Sequence, residues 1–379
     1  MPGLCYRKNV DAVIERRKQF NDGKFKNRIL FAASGLRQYP DGQSPKNVRI
    51  DLRLPRPGSP LDGPVPVEDV LPILDHNHRL MRHVTDDELP ISELLGCFGH
   101  GVVCEAMGYP VHHFVVGGYG SGSTVVEHAK DLDGLMDMEL QWDLPVMREI
   151  ERYLRTGKEY AAGRFFLDPY MAQDGLHLMT NMLGYEKAYM TLYERPDDAH
   201  AFCRKAVRIA RDFYQFQTDT IGQVAGGWVL SRSDWNARPC ISLNLDDYLC
   251  CSNEIFQEFG VPYLQQLIDH FGSGMIHFHT PDTRLLKDVA RMRNILIQVG
   301  SDPKLPDPID CLSEIRETTG DIPLTWMRIR RDRFEAMLRR GELPGNVEYL
   351  VSGIHDSDDA NRLYHMAIAY EAPDFKRGE

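Results

Sequence analysis

Eight short apolar runs, at 28–33, 111–116, 164–167, 227–231, 275–279, 295–299, 323–327 and 348–351, alternate along the chain with stretches of helical period. Runs of this length between amphipathic helices point to parallel strands, because a parallel pair needs a crossover, usually a helix, to return the chain to the same edge. The longest helical pattern covers 196–216, where Ala199, Phe202, Cys203, Ala206, Ile209, Ala210 and Phe213 recur three and four residues apart. Eight such runs predict an α/β fold, a TIM-like (β/α)8 barrel. One barrel domain can hold all 379 residues, since barrels with insertions run from about 200 to more than 400. Residues 1–27 predict an N-terminal helical extension. Residues 39–72, Pro-rich, charged and without a sustained period, predict an insertion or lid.

Charge and cysteine usage narrow the function classes. Lys and Arg total 44 against 55 Asp and Glu, a net charge of -11, so bulk electrostatics disfavour a nucleic acid partner. The eight cysteines show no CxxC or zinc-ribbon spacing, the N-terminus has no apolar signal run, and no apolar segment approaches membrane-spanning length. The expectation is a cytoplasmic protein with reduced thiols and no membrane partner.

In a barrel, catalytic groups come from the C-terminal ends of strands and the loops just after them. That rule selects Ser34 and Arg37 after the first run, Tyr119 after the second and Asp168 after the third. It then selects Arg232, Ser233 and Asp234, next His279, next Ser301 and Asp302, and finally Ser352, His355 and Asp356. The sharpest signal is Met275-Ile276-His277-Phe278-His279-Thr280-Pro281-Asp282. Strand side chains alternate, so His277 and His279 share a face about 6 to 7 Å apart and can grip one metal ion. Thr280-Pro281 then supplies a cap and a first-turn proline for the next helix. A core histidine beside a helix-capping one is the plainer alternative.

Other motifs carry less. His112 and His113 are adjacent in a strand and face opposite ways. Gly117-Gly118-Tyr119-Gly120-Ser121-Gly122-Ser123 lacks the spacing of a phosphate loop and reads as a flexible loop near the pocket. Trp228, Trp235 and Trp326 are candidates to line an aromatic substrate cavity.

Several stretches together resemble the uroporphyrinogen decarboxylase superfamily. They are Ser252-Asn253-Glu254-Ile255-Phe256-Gln257-Glu258-Phe259-Gly260-Val261-Pro262-Tyr263, preceded by Asp246 and followed by Gly274 through His279, with Cys104-Glu105-Ala106-Met107-Gly108, Asp168-Pro169-Tyr170 and Gly300-Ser301-Asp302-Pro303. The resemblance spans roughly residues 100–361 as a pattern and implies a TIM-like barrel. The tetrapyrrole decarboxylase branch carries an arginine-rich N-terminal loop, where this chain keeps only Arg37, and a late histidine, where it has Ser352. The thiol-methylating branch holds zinc with His-x-Cys and a later Cys; here His277 is kept, His279 replaces the first thiolate and Ser352 the second. Two imidazoles with an oxygen ligand make a harder, more Lewis-acidic centre than thiolates do, as in the superfamily's O-demethylating methyltransferases.

The resemblance therefore implies a zinc-dependent methyltransferase that passes a methyl group from a small methylated, methoxy-type substrate to a corrinoid protein. Cobalamin would ride on that separate partner, because this chain shows no Asp-x-His-x-x-Gly signature. His277 and His279 would hold the metal, with His355 first and Glu105 second as candidates to complete the site. Asp302 or Asp168 would serve as acid or positioning group, and Arg37, Tyr119 and Arg232 would contact substrate. Two alternatives stay open: a decarboxylase of a small carboxylic acid or tetrapyrrole, with Arg37 and Arg232 gripping a carboxylate, and a non-catalytic binding protein on the same fold. A homodimer is open as well.

Overall fold

The computed structural model describes residues 4–39, 58–116, 120–231, 234–279, 283–301 and 306–373. Its organising strands are β1 (Ile29–Ala33), β2 (Ile91–Glu93), β3 (Phe166–Asp168), β4 (Ile241–Asn244), β5 (Gly274–His279), β6 (Ile295–Gly300), β7 (Leu324–Arg330) and β8 (Val347–Ser352). Six of these form one parallel sheet in the order β1-β8-β7-β6-β5-β4, and β2 pairs in parallel with β3. The pair is tied to the sheet on both sides, by the bridge between Ala172 and Leu243 and by the Asp87 N–H donating to the Phe31 carbonyl at 2.8 Å. An α/β fold with a parallel central sheet and helices between strands fits a TIM-like architecture.

The apolar runs became strands where both faces are covered. In β1 every residue is buried, and β5 is buried from Gly274 to Phe278, which is why β1 reads as a continuous apolar stretch and β5 as one broken only by His277, rather than as alternation. The long helix is Pro196–Ile221, with Pro196 in its first turn and Asp197 and Asp198 beside its positive end. Ala199, Phe202, Cys203, Ala206, Ile209, Ala210 and Phe213 are all buried along it. The helix Val10–Asn21 precedes β1. Its Arg17, 1% exposed, bonds Asp234 at 2.6 Å and also Glu348, so this first helix is anchored into the sheet by a buried charge cluster.

Two predicted strands do other work. Val111–Val116 pairs antiparallel with Gly120–Val125 and with Pro60–Leu61 in a separate small sheet. A nearby return strand pairs with less loop closure than a distant parallel partner needs. The segment expected as a flexible glycine loop therefore contains a strand, held by Ser121 and Ser123 hydroxyls donating to the Cys97 and Phe98 carbonyls. Trp228–Leu230 likewise pairs locally, with Asp234–Asn236. Their places among the parallel strands are taken by β2 and β4. Residues 40–57 of the expected insertion lie outside the described residues; its remainder holds Pro60–Leu61 and the start of the helix Val67–Leu80. All eight cysteines are free thiols. Among the described residues no helix is long and apolar enough to cross a membrane.

Candidate metal centre

The register of four neighbouring strands builds a polar row. Asn244 of β4 lies beside His277 of β5, His277 beside Gln298 of β6, and Gln298 beside Thr325 of β7. Registered residues of a parallel sheet point to the same face, so four polar side chains meet where barrel interiors ordinarily stack branched apolar ones. His277 and Gln298 are each 1% exposed and Thr325 is fully buried. Among the described residues neither the oxygen nor the nitrogen of the Gln298 amide has a hydrogen-bond partner, and the Thr325 hydroxyl has none. Buried groups in that condition cost about 1–3 kcal/mol each. Their persistence marks a place built for something polar.

One step further along the strands, His279 brings its Nε2 to 3.1 Å from Nε2 of His277, with the rings near perpendicular at 85°. Two neutral imidazoles can share an N–H···N bond at this distance. Two nitrogens bound to one tetrahedral zinc at about 2.05 Å stand about 3.3 Å apart, nearly the same spacing. The position beside His279 in β6 is Gly300, and a Cβ there would lie 2.9 Å from His279 Nε2 and 3.0 Å from His277 Cε1. The missing side chain makes room for the two rings.

Asp246 completes the group. Its Oδ1 is 3.8 Å from His279 Nε2, is buried, and has no hydrogen-bond partner. Its other oxygen accepts from the Asn244 amide at 2.9 Å, while the Asp246 N–H donates to the Asn244 side-chain oxygen at 2.8 Å. One ligand-type atom from each of Asp246, His277 and His279 fits within a 4.8 Å span. Two imidazoles and a carboxylate oxygen with a held orientation are a donor set suited to zinc, and an outer partner such as Asn244 is the kind of group that aims it. The side chains present fit the metal that the sequence implies.

A small cavity opens on the two histidines of this group, and Trp326 borders it together with two larger ones. The small one, of about 80 Å³, is lined by His277, His279, Gln298, Ser301, Trp326 and Arg328. A second of about 420 Å³ takes in His100, Tyr170, Gln173, His177 and Asn244. The largest, about 620 Å³, runs past Ser34, Tyr39, His78, Glu93 and Arg328. Trp326 sits in a β-bulge, where β7 shifts register between Leu324 and Met327, and its φ is +56°. A bulky residue held there costs on the order of 1–3 kcal/mol, and bulges collect beside active sites because they re-aim side chains.

Burial tunes the flanking groups. It pushes the Asp174 carboxyl up to about 7, although that oxygen accepts from the His177 N–H to cap the helix Gly175–Leu183. The same burial pushes the His177 ring down, partly opposed by Asp247, whose carboxylate is 3.8 Å away.

The sequence matches no protein-family model and no curated protein. Its fold, however, is that of a solved methyltransferase from Methanosarcina mazei. The two superpose with a TM-score of 0.59 over 94% of this chain and 98% of the other at 12% identity. What the likeness shows is the shared fold.

The residues singled out in the sequence are dispersed. His277 and His279 are together, but His355 is exposed on the loop after β8, 2.9 Å from Asp356. Glu105 lies 3.3 Å from His113 on the helix Val102–Ala106. Among the described residues the ligand group takes Asp246, and neither of those, as its third member. Asp168 is fully buried at the end of β3, in register with Glu93, and is absent from the walls of the three cavities. Arg37 packs over Gly353, where a Cβ would meet it at 3.3 Å, and does not border them either. Of the three tryptophans, Trp326 alone lines them. Tyr119, Arg232 and Asp302 lie outside the described residues. Sequence reasoning missed Asp246, Gln298 and Arg328 as site residues. Asp246 could be found only from its place after β4 and Arg328 only from the bulge of β7, neither of which has a clear mark in the sequence; Gln298 lies inside the run 295–299 and is marked there only by being polar.

Proposed function

We propose that this chain is a zinc-dependent methyltransferase of the uroporphyrinogen decarboxylase superfamily, built on a closed (β/α)8 barrel. It would move a methyl group from a small methylated, methoxy-type substrate to a separate corrinoid protein. The observation that carries this is the meeting of Asp246, His277 and His279, the two histidines lining a small cavity that shares Trp326 with two larger ones. The fold shared with a methyltransferase supports it, and the free thiols suit a cytoplasmic enzyme.

Zinc held by these three residues would act as a Lewis acid toward the negative charge that develops on a leaving oxygen. The chain's own groups do the rest. Asn244 holds the Asp246 carboxylate in one orientation, and Gly300 leaves the imidazoles free to converge. Gln298 offers a donor and an acceptor to a polar group in the small cavity. Trp326 borders all three cavities and gives the site an aromatic wall. The corrinoid protein would dock at the mouth, where the C-terminal ends of the strands open.

Protein purified without chelator is expected to carry about one zinc per chain, lost on His279→Ala, with methyl transfer to an added corrinoid protein tracking metal content. Zinc far below stoichiometric and indifferent to that substitution would sink the proposal.

A further inference from the structure

We propose that Arg328 and Gln298 bind the carboxylate of a planar substrate in the space shared with His277 and His279. The inference deepens the functional reading above and rests on these cavities being the substrate site.

The first support is the direction in which Arg328 points. Leu324 is registered with Val347 and Arg328 with Leu350. Val347 and Leu350 are three apart and so face opposite sides of the sheet, and Leu350 lines the largest cavity. Regular alternation would place Arg328 on the same face as Leu324. The extra residue in the bulge reverses this and turns the guanidinium into the cavities. The strained backbone of Trp326 is thus the device that delivers Arg328 to the site.

The second support is its lack of a counter-charge. Arg328 is exposed toward the open cavity, and among the described residues it has no ion pair or hydrogen bond. The other cationic side chains on the largest cavity are Arg7 and His78. Arg7 is paired with Asp86 at 2.7 Å, and burial pushes His78 down to about 3, so that ring is neutral. Of the carboxyls, burial pushes Glu88 up, leaving Glu93 on the wall shared with the second cavity. In a chain of net charge -11, an anionic substrate needs such a local cation.

The third support is independent of charge. Gln298 is 1% exposed, both polar atoms of its amide are unpartnered, and it lines the small cavity with Arg328. A guanidinium fork matches a carboxylate in plane and charge, and an amide N–H adds a further donor. The Trp326 indole, which borders both this cavity and the largest one, gives a flat surface for a planar body extending into the 620 Å³ space.

Binding can be read without metal or methyl transfer, so it fails or holds separately from the proposed activity. The probes are benzoate, benzamide and inorganic phosphate, titrated calorimetrically into chelator-treated full-length protein. Benzoate is expected to bind roughly tenfold or more tightly than benzamide. Arg328→Met should remove that preference, Arg328→Lys should restore part of it, and Gln298→Leu should weaken benzoate severalfold. Zinc content and unfolding temperature of Arg328→Met should match the parent. Equal binding of benzoate and benzamide, or a benzoate preference that survives Arg328→Met, overturns the proposal. Phosphate binding more tightly than benzoate overturns the carboxylate assignment.

Discussion

Gly300 stands directly beside His279 in the sheet, and a Cβ at position 300 would come within 2.9 Å of its Nε2. Real Cβ atoms do not sit that close, so any side chain there must push the imidazole aside. Gly300→Ala is expected to leave the fold intact, since the backbone at 300 is ordinary strand, but to lower zinc affinity by at least tenfold. Metal titration of the variant against the parent checks this; unchanged affinity would show that the two rings do not converge on an ion.

Asn244 and Asp246 form a short clamp of two mutual hydrogen bonds. Asp246→Asn should remove a ligand charge and cost more affinity than Asn244→Ala, which only frees the ligand to turn. Loss of an outer partner typically costs about 10–100-fold. If His355→Ala or Glu105→Gln lowers zinc affinity more than Asp246→Asn does, the third ligand has been wrongly assigned.

Asp174 is an acid whose burial raises it from 3.8 to about 7. The native state therefore holds a proton that the unfolded chain releases, and stability falls as pH rises through that window. Asp174→Asn keeps the capping oxygen and removes the titration. It should stabilise the protein at pH 8 by up to about 4 kcal/mol and flatten its stability between pH 4 and 7. Urea unfolding at pH 5 and pH 8 decides the matter, and an unchanged pH slope would refute it.

Arg17 neutralises two buried carboxylates at once, Asp234 and Glu348. Arg17→Met should leave both without a cation and destabilise by about 3–5 kcal/mol at pH 8. Burial raises Asp234 and Glu348, so without the arginine they take up protons readily. The penalty should shrink at pH 5. A penalty that grows in acid would mean the cluster is held by other means.

The parallel sheet was legible where strands are buried on both faces and hence mostly apolar, as in β1, β5, β6 and β8. It was hidden where a strand is three or four residues with polar members: Ile91-Ser92-Glu93 and Ile241-Ser242-Leu243-Asn244 carry too little apolar signal to stand out. Residues 111–116 alternate well enough to be a strand, but alternation does not name the partner. The His-x-His pair was visible because both imidazoles lie on one strand. Asp246 was not, since it lies two residues beyond the unrecognised β4. Arg328 depended on a bulge that reverses the face of β7, and period-two reasoning assigns it to the wrong side.

The pairing of β1 with β8 sets a schedule for the newborn chain. Ile29 finds its registered neighbour in Val347, which leaves the ribosome only after β2 to β7 have been made. Until then β1 has an unpaired edge, and the polar row of four later strands cannot be backed by a finished sheet. A chaperone that shields apolar edges during synthesis would find one at the first strand, and a chain truncated before β8 would expose the facing edges of both β1 and β7.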